Sequence, residues 1–334
     1  MFNPVRFLAA AIITSVLVGV PAEHINASVL VDSGNQVVTN NPFSITLAQQ
    51  LPEEPSLTKE AYLDLDAGSS FTCGIRISNH KINCWGLNDF GQLNAPKGSF
   101  NTISLGELHG CAIRANNKLE CWGLKDAYTS ANDEMGQYSS VSAGDRHTCA
   151  ISMDKSLKCW GDNSVGQATP PIGEFTSVSA VSDHTCATAV SGDLSCWGEA
   201  GFTTYKQPTG HFKQVAVGRL HACAIRTDDG SVNCWGNGIN GVLKAPSGKF
   251  MQLASGDYHT CGLTTDHIAH CWGDDSFNQV SLSNASATNR YARISAGGEQ
   301  TCGLTMARRL TCDGSFAYNP ILFSDIYQKA TLQT

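Results

Sequence analysis

The sequence predicts an all-β fold, a seven-bladed β-propeller with roughly four short antiparallel strands in each blade. Three observations point to it. Cysteines recur in seven pairs, six of the second cysteines open a Cys-Trp-Gly triplet, and an aromatic residue stands eleven positions before every first cysteine. Successive first cysteines are 37 to 41 residues apart. A period of this length that holds several short strands is typical of a propeller blade.

Each unit begins with a strand, because residues 175–180 and their equivalents alternate apolar and polar side chains. In the third unit, His147-Thr-Cys-Ala-Ile and Leu157-Lys-Cys-Trp then flank a three-residue turn, as in a β-hairpin. A short Gly-rich stretch before a proline is expected to supply the fourth strand. We assign residues 62–334 to the propeller, with residues 323–326 resembling an eighth opening strand that helps to close the ring.

Nine or ten residues separate the cysteines of each pair, which places them opposite each other on adjacent hairpin strands. Opposed residues are within disulfide range, so pairing inside each unit is the simplest connectivity, and a secreted chain favours it. The alternative is zinc, with His147, Cys149 and Cys159 as ligands, although zinc sites use four ligands and tighter cysteine spacing. The pairs are Cys73/Cys84, Cys111/Cys121, Cys149/Cys159, Cys186/Cys196, Cys223/Cys234, Cys261/Cys271 and Cys302/Cys312.

Residues 1–22 predict a secretory signal peptide. Arg6 precedes an uncharged apolar run at residues 7–20, and small residues around Ala22 suit signal peptidase. The run is short for a membrane-spanning helix, and no later segment resembles one. We therefore expect a secreted, extracellular product, which would be periplasmic in a Gram-negative bacterium.

Charge and composition narrow the function classes further. A net charge of -7 argues against nucleic-acid binding through phosphate neutralisation.

Residues 23–61 match no repeat, contain three prolines and are assigned to a flexible N-terminal leader. Asn26 and Asn284 begin glycosylation sequons, which matter only if the source is a eukaryote.

The unit Ala-Gly-x-x-His-Thr-Cys-Ala followed by Cys-Trp-Gly-x-Asn-x-x-Gly-Gln resembles the regulator-of-chromosome-condensation repeat. Its paired cysteines are similar to those of crinkly-type receptor ectodomains and of secreted bacterial proteins, and a β-lactamase-inhibitory propeller has the same fold. The resemblance covers residues 62–312 and implies a propeller. It implies no single function, because this fold hosts exchange factors, inhibitors and receptor domains. The predicted signal peptide contradicts a nuclear or cytosolic exchange factor.

The sequence contains no nucleophile elbow, His-Glu-x-x-His helix, P-loop or dinucleotide fingerprint, so we expect no enzyme activity, no cofactor and no metal. Five histidines recur two positions before a first cysteine. We expect each to hydrogen-bond the blade backbone, because equivalent positions on a sevenfold ring are too far apart to share one ion. The tryptophan after each second cysteine is expected to pack between blades. The histidines are His109, His147, His184, His221 and His259.

Positions that differ between units, while the surrounding residues of the repeat stay the same, are candidates for binding. The second residue after each Ala-Gly pair should lie in a loop on one face of the ring, and four of these residues are apolar, aromatic or arginine. Tyrosine and arginine are enriched where interfaces gain most of their energy. The candidate binding face comprises Leu108, Arg146, Leu220 and Tyr258. Where the fourth unit departs from the frame, the secondary candidates are Phe202, Tyr205 and Lys206.

The sequence therefore predicts a secreted, disulfide-stabilised module that binds a protein through loops on one face. Blade disulfides would hold those loops in place and lower the ordering cost of binding. Three alternatives remain open: an inhibitor of an extracellular hydrolase, a glycan-binding or cell-surface adhesion module, and a hydrolase or lyase with acids clustered at the ring centre. We expect a monomer whose partner is a protein or a surface glycan, with no nucleic acid and no membrane span after signal cleavage.

Overall fold

The structure is a computed structural model. It describes residues 61–124, 136–283 and 290–314, together with the backbone of two short strands closer to the N-terminus. The chain divides into two units, Met1–Leu57 and Thr58–Thr334. In the first unit, β1 (Leu30–Val31) pairs antiparallel with β2 (Val37–Val38).

Several sequence-based expectations fall outside the described residues and stay predictions. They are the signal peptide of residues 1–22, the sequons at Asn26 and Asn284, and the closing strand at residues 323–326. Among the described residues, no helix is long and apolar enough to cross a bilayer.

The second unit contains seven three-stranded antiparallel sheets, one for each predicted repeat, with the second strand of each repeat in the middle. The prediction of an all-β, seven-bladed propeller is confirmed. The blades, in order, are β3 (Tyr62–Ala67), β4 (Phe71–Arg76) and β5 (Ile82–Gly86); β6 (Phe100–Leu105), β7 (His109–Arg114) and β8 (Leu119–Gly123); β9 (Tyr138–Ala143), β10 (His147–Ser152) and β11 (Leu157–Gly161); β12 (Phe175–Val181), β13 (His184–Ala189) and β14 (Leu194–Gly198); β15 (Phe212–Val217), β16 (His221–Arg226) and β17 (Val232–Gly236); β18 (Phe250–Ser255), β19 (His259–Thr264) and β20 (Ala269–Gly273); β21 (Tyr291–Gly297), β22 (Gln300–Thr305) and β23 (Leu310–Gly314).

The expectation of a fourth strand in each blade is wrong, since each blade has three strands in the described residues. In blades 1, 3, 4 and 5 the link that follows the third strand contains proline, and none of these four links forms a strand. The prolines are Pro96, Pro170, Pro171, Pro208 and Pro246. Proline has no N–H to donate to a sheet ladder, and its ring restricts the chain next to it. Where the structure describes the links, the helical segments in them are short, namely α1 (Ala200–Thr203) and the 3₁₀ turns Ile239–Gly241 and Ser281–Ser283.

One disulfide per blade is confirmed, with the connectivity predicted from the spacing. Cys149 lies directly opposite Cys159 in the ladder between β10 and β11, with their Cα atoms 4.1 Å apart. The other six pairs repeat this arrangement at 4.0 or 4.1 Å; they are Cys73–Cys84, Cys111–Cys121, Cys186–Cys196, Cys223–Cys234, Cys261–Cys271 and Cys302–Cys312. No cysteine is free. The zinc alternative at His147 is therefore wrong, because both sulfur ligands it requires are in a disulfide.

The two cysteines of each disulfide differ in exposure. Every first cysteine lies on the central strand of its blade and is fully buried. The second cysteines lie on the outer strand, which no fourth strand covers. Cys312 is still buried there at 7% exposure. The half-buried ones are Cys84, Cys121, Cys159, Cys196, Cys234 and Cys271.

The blades are joined at one end by hydrogen bonds from each blade to the hairpin turn of the blade before it. The N–H of Tyr138, at the start of blade 3, donates to the carbonyl of Asn117 in the preceding turn at 2.8 Å, and Asn117 has a left-handed φ of 64°. Tyr62 N–H donates in the same way to the carbonyl of Arg308 at 3.1 Å. Since Arg308 belongs to blade 7, this bond closes the ring within the described residues.

A second set of bonds joins the blades around the central channel. In blade 3, Ser142 Oγ accepts the N–H of Ala180 in blade 4 at 2.9 Å, and three other blades use an equivalent serine. Blades 5 and 6 have alanine at that position, and a glutamine two residues earlier replaces the serine. Gln214, for example, accepts the N–H of Leu253 at 3.0 Å and donates to its carbonyl at 3.1 Å. Every junction thus has a link between a side chain and the backbone.

The junction between blades 7 and 1 carries two carboxylates. Asp66 accepts hydrogen bonds from Leu105 N–H, at 2.7 Å, and from the hydroxyl of Ser295. Asp64 is buried and forms an ion pair with Arg293 at 2.8 Å between Oδ1 and Nε. Burial raises the pKa of Asp66 to about 6. Burial also raises the pKa of Asp64, and the charge of Arg293 opposes that rise.

The ring has two unlike ends. The first and third strands of a blade run in the same direction, so the Ala-Gly-x-x-His loops and the loops after the third strands lie together at one end, the loop face. A 2.9 Å bond from Asp162 N–H to the carbonyl of Arg146 joins the two kinds of loop in blade 3. The seven hairpin turns, and the residues just before the first strands, form the opposite end, the turn face.

Candidate binding face

The recurring histidines are buried next to the loops of the loop face, and each hydrogen-bonds the next blade. His147 Nε2 lies 2.7 Å from Thr185 Oγ1 of the next blade, and three more histidines pair with a threonine in the same way. His184 instead bonds the carbonyl of Gly218 at 3.2 Å. Each histidine was expected to hydrogen-bond the blade backbone. Nε2 of His184 does so, whereas Nε2 of the other four bonds a threonine hydroxyl. Burial lowers the pKa of His147 to about 4, so its ring is neutral near pH 7.

The position of these histidine rings explains why the second residue of the Ala-Gly pair is glycine. A Cβ on Gly144 would lie 2.5 Å from Cε1 of His147, closer than such atoms approach in proteins. The equivalent distances are 2.2 Å for Gly218 and Gly256 against their histidines. The Ala-Gly-x-x-His motif is thus a packing unit that fixes the course of the loop.

The loops after the third strands are held by buried side chains. Gln92 is 2% exposed, and its Oε1 accepts the N–H of Phe90 at 2.8 Å. Its carbonyl accepts the indole N–H of Trp122 in the next blade at 2.7 Å. Trp197 and Trp272 make the same bond to the preceding blade, which confirms for these three tryptophans the expected packing between blades.

This support leaves apolar side chains exposed on the loop face. Three of them occupy the same position, five residues after the tryptophan, and a fourth lies one residue earlier in its loop. Their exposed fractions are 46% for Phe90, 45% for Val165, 44% for Phe277 and 45% for Ile239. Sequence analysis missed these residues. The available signal was an apolar residue in a turn segment where polar residues are usual.

The predicted binding-face residues all lie on the loop face. Arg146 is exposed, and Leu108, Leu220 and Tyr258 are half-buried. They belong to blades 2, 3, 5 and 6, so blade 4 separates Arg146 from Leu220. The structure therefore places them around the rim of one face and does not bring them into a single cluster.

The secondary candidates divide between core and surface. Phe202 is 2% exposed and stacks on His184, with the two ring centres 3.9 Å apart. Its side chain is part of the packing under α1, so we leave it out of the proposed face. Tyr205 packs edge-on against Phe202 and is 36% exposed, and Lys206 is exposed.

The loop face is acidic. Among the described residues it carries ten carboxylates and four basic side chains. The carboxylates are Asp89, Glu107, Asp145, Asp162, Asp183, Glu199, Asp257, Asp274, Asp275 and Glu299, and the bases are Arg146, Lys206, Arg219 and Lys244. Acidic residues interspersed with exposed aromatic residues favour a partner with positive charge and apolar anchors.

The first strands of all seven blades enclose a central channel with a volume of about 510 Å³. At its loop-face mouth, Asp145 accepts the N–H of Ser182 at 3.2 Å, and Arg219 lies 3.8 Å from Asp257. Burial, with the nearby charges of Glu107 and Asp257, raises the pKa of Asp145 to about 6. The hydrolase or lyase alternative expected acids at the ring centre, and these acids do lie there. Asp145 and Asp257 each have a partner within the protein.

The described residues contain no group of three or more His, Cys, Asp or Glu side chains placed to hold a metal ion. The loop face presents exposed apolar side chains and negative charge on loops that are anchored to the blades.

Comparison with known proteins agrees with this architecture. The profile of the Regulator of chromosome condensation (RCC1) repeat matches residues 63–92, 138–167, 212–242 and 252–279. The protein contains regulator of chromosome condensation repeats. The matched segments begin in the first strands of blades 1, 3, 5 and 6 and end in the loops that follow their third strands. No curated protein matches the chain.

Solved propellers resemble the RCC1-repeat ring of this chain. The CRINKLY WD40 ectodomain of the Arabidopsis thaliana receptor kinase ACR4 is 23% identical, with a TM-score of 0.62 over 78% of this chain and 97% of that one. The ectodomain of the Physcomitrella patens receptor kinase CR4 is 22% identical, with a TM-score of 0.63 over 75% and 73%. Prp20p of Saccharomyces cerevisiae, whose structure was described with its binding properties to Gsp1p and histones, is 13% identical, with a TM-score of 0.59 over 80% and 85%. These likenesses show the fold.

Proposed function

We propose that this chain is a secreted protein-binding module and that its loop face binds a positively charged protein partner. One observation carries the proposal. Exposed apolar residues recur at equivalent places in four loops, at Phe90, Val165, Ile239 and Phe277, on a face with more than twice as many acids as bases.

The rigidity of the loops supports binding. Each loop is anchored by a disulfide in its blade, and most are also anchored by a histidine or a tryptophan that reaches a neighbouring blade. A surface ordered before contact loses less conformational entropy on association. Prp20p, a propeller of the same fold, has binding properties to other proteins, which makes this use of the fold reasonable here.

The cysteine chemistry supports secretion. All 14 cysteines are in disulfides, and such bonds form and persist in oxidising compartments outside the cytosol. Together with the predicted signal peptide, this favours an extracellular or periplasmic location.

Within the face, apolar and charged residues have different roles. Phe90 and Phe277, with the half-buried Tyr258, would act as anchors, because large aromatic side chains contribute most per residue at interfaces. The surrounding carboxylates would speed the approach of a basic partner and select against acidic ones. Arg146 would set the orientation through a carboxylate on the partner.

The test is affinity capture with residues 23–334, disulfides intact, against the native extracellular fraction. Two variants alter the loop face, Phe90→Ser with Phe277→Ser, and Leu108→Asp with Tyr258→Asp. The matched control, Met153→Ser with Val190→Ser, removes equally exposed apolar residues from the turn face. We expect one protein to be retained by the wild type and the control, and lost with both loop-face variants.

Capture that both loop-face variants retain as well as the wild type would refute the loop face as the binding surface. Retention abolished by free oligosaccharide would instead establish the adhesion alternative. Assay of the captured protein for hydrolase activity, with and without this chain, separates an inhibitor from a receptor-like module.

A further inference from the structure

The turn face of blades 7, 1 and 2 has the opposite charge to the loop face. These three blades are neighbours, since blade 7 closes onto blade 1. Their exposed bases on this face are Lys81, Lys97, Lys118, Arg290 and Arg309. In the described part of these blades, no acidic side chain lies in a hairpin turn or just before a first strand. We call this surface the basic sector.

Other bases nearby are used inside the protein and are not counted. Arg114 is 28% exposed and pairs with Glu120, so the two charges cancel. Arg308 is half-buried, and its Nη1 bonds the carbonyl of Leu63 at 3.4 Å. Arg290 is exposed and donates from its Nη1 to the carbonyl of Asp266, which is neutral and does not cancel its charge. The five exposed bases thus give the sector a net positive charge.

Two apolar side chains project from the same sector. Ile77 in blade 1 is 41% exposed and Met306 in blade 7 is 53% exposed. They occupy the same position, the first residue of the hairpin turn, and each is followed within four residues by one of the exposed bases, Lys81 and Arg309. Apolar side chains next to lysine and arginine are the combination by which interfacial amphipathic helices bind the headgroup layer of a bilayer, and the turns of this sector offer the same combination.

The turns of the sector form a continuous edge. Phe100 N–H, at the start of blade 2, bonds the carbonyl of His80 in the blade 1 turn at 2.9 Å, and Tyr62 N–H makes the same bond to the blade 7 turn. Adjacent turns are therefore held at one level by the ring, and their tips can meet a flat surface together.

The rest of the turn face lacks this excess of positive charge. In blades 3 to 6 it carries six acids and four bases, among the residues that the structure describes. The acids are Asp154, Glu174, Asp193, Asp228, Asp229 and Asp266, and the bases are Lys155, Lys213, Arg226 and Lys249. The attraction to an anionic surface is thus confined to one side of the ring.

We propose that the basic sector docks the propeller onto an anionic lipid surface. Lysine and arginine near the surface would supply the attraction, and Ile77 and Met306 would enter the interfacial layer. A nucleic acid or an acidic polysaccharide would attract the same bases but would gain nothing from these apolar tips. The acidic loop face would be repelled by the lipid and would point outward. This docking does not depend on the proposed binding by the loop face.

The test is flotation of residues 23–334, disulfides intact, with phosphatidylcholine vesicles that contain or lack one third phosphatidylglycerol. We expect binding to the anionic vesicles and a loss of binding at high salt, because exposed charges are screened. A variant with Lys81→Glu, Lys118→Glu and Arg309→Glu should reduce partitioning by at least about a hundredfold, at about fivefold for each of the three positive charges removed. Lys155→Glu with Lys213→Glu and Lys249→Glu makes the same net change outside the sector and should retain most of the binding.

The contribution of Ile77 and Met306 to binding distinguishes a lipid surface from a soluble polyanion. Ile77→Ser with Met306→Ser should weaken vesicle binding, whereas Met153→Ser with Val190→Ser, at the same turn position in blades 3 and 4, should not. Any of three results would overturn the proposal. The protein could bind both vesicle types equally, the two triple charge variants could lose binding equally, or the Ile77→Ser with Met306→Ser variant could bind as well as the wild type. Heparin or DNA binding that the Ile77 and Met306 pair leaves intact, with no vesicle flotation, would assign the sector to a polyanion instead. Circular dichroism of each variant checks that the fold is retained.

Discussion

Replacing Asp66 by asparagine tests the chemistry of the junction that closes the ring. The Asp66 carboxyl accepts Leu105 N–H and the Ser295 hydroxyl, and burial raises its pKa from 3.8 to about 6. Asparagine keeps the oxygen that accepts Leu105 N–H and removes the charge. The substitution should therefore stabilise the protein at neutral pH and change little in acid.

The magnitude follows from linkage between protonation and folding. A carboxyl whose pKa is higher in the folded state favours folding while it is protonated, and this advantage disappears as pH rises from about 3.8 to about 6. The difference between these pKa values corresponds to at most about 3 kcal/mol, reached above pH 6. The value is an upper limit, because Asp66 is half-buried and lines the channel.

The assay is urea denaturation of wild type and Asp66→Asn between pH 4 and pH 7.5, with disulfides intact. We expect the free energies of unfolding to agree near pH 4 and to diverge above pH 6 in favour of the variant. Taking the difference at each pH removes contributions from the histidines and other carboxyls. Asp89→Asn, at an exposed carboxyl of the loop face, serves as the control for removing one negative charge from the ring.

A loss of stability at every pH in Asp66→Asn would refute this reasoning. It would mean that the ionised carboxylate, with charge-assisted bonds to Leu105 and Ser295, holds the junction together. Equal stability across the whole range would show that the pKa of Asp66 is not raised in the folded protein.

Three further predictions concern the frame of the propeller. In the folded protein His147 is neutral, because its pKa is lowered to about 4. Stability that is present above pH 6.5 should therefore be lost as pH falls towards 4. The substitution His147→Gln, which copies Gln300 of blade 7, should reduce that loss by up to about 3 kcal/mol in denaturation experiments. Gly144→Ala should destabilise by about 1–3 kcal/mol because its Cβ would overlap His147, whereas Gly201→Ala, with no neighbouring atom nearer than 3.7 Å, should not. Thiol titration of the denatured, unreduced protein should find no free cysteine, and reduction should release 14 and lower the melting temperature.

The features predictable from the sequence are those that depend on nearby residues. A three-residue turn places Cys149 opposite Cys159, so the spacing of the pair already specifies the hairpin and its disulfide. Repetition of this pattern seven times then specifies the number of blades. The fourth strand was predicted wrongly because the prediction relied on the position of the link, after the third strand of the blade, and gave no weight to its prolines. Pro170 and Pro171 in that link prevent ladder bonds.

The residues of the proposed binding face were only partly predictable from the sequence. The variable positions after Ala-Gly, such as Arg146 and Tyr258, were placed correctly on one face because the frame of the repeat fixes where that loop lies. Phe90 and Phe277 were missed, since their exposure depends on buried Gln92 and Gln279 holding the turn beneath them. Phe202 was misjudged for the converse reason, because α1 turns its ring inward onto His184.

The sequence by itself determined the class of fold, the seven blades and the disulfides, since these depend on contacts within about a dozen residues. Only the tertiary structure decided how blade 7 meets blade 1, where Ser295 and Asp66 are 229 residues apart, and how charge is sorted between the two ends of the ring. In the sequence, acidic and basic residues are interspersed along the repeats, and their grouping on one surface is not visible. The antiparallel course of the strands sends successive loops and turns to opposite ends. This places most acids of the loops on one face and gathers the exposed bases of blades 7, 1 and 2 on the other.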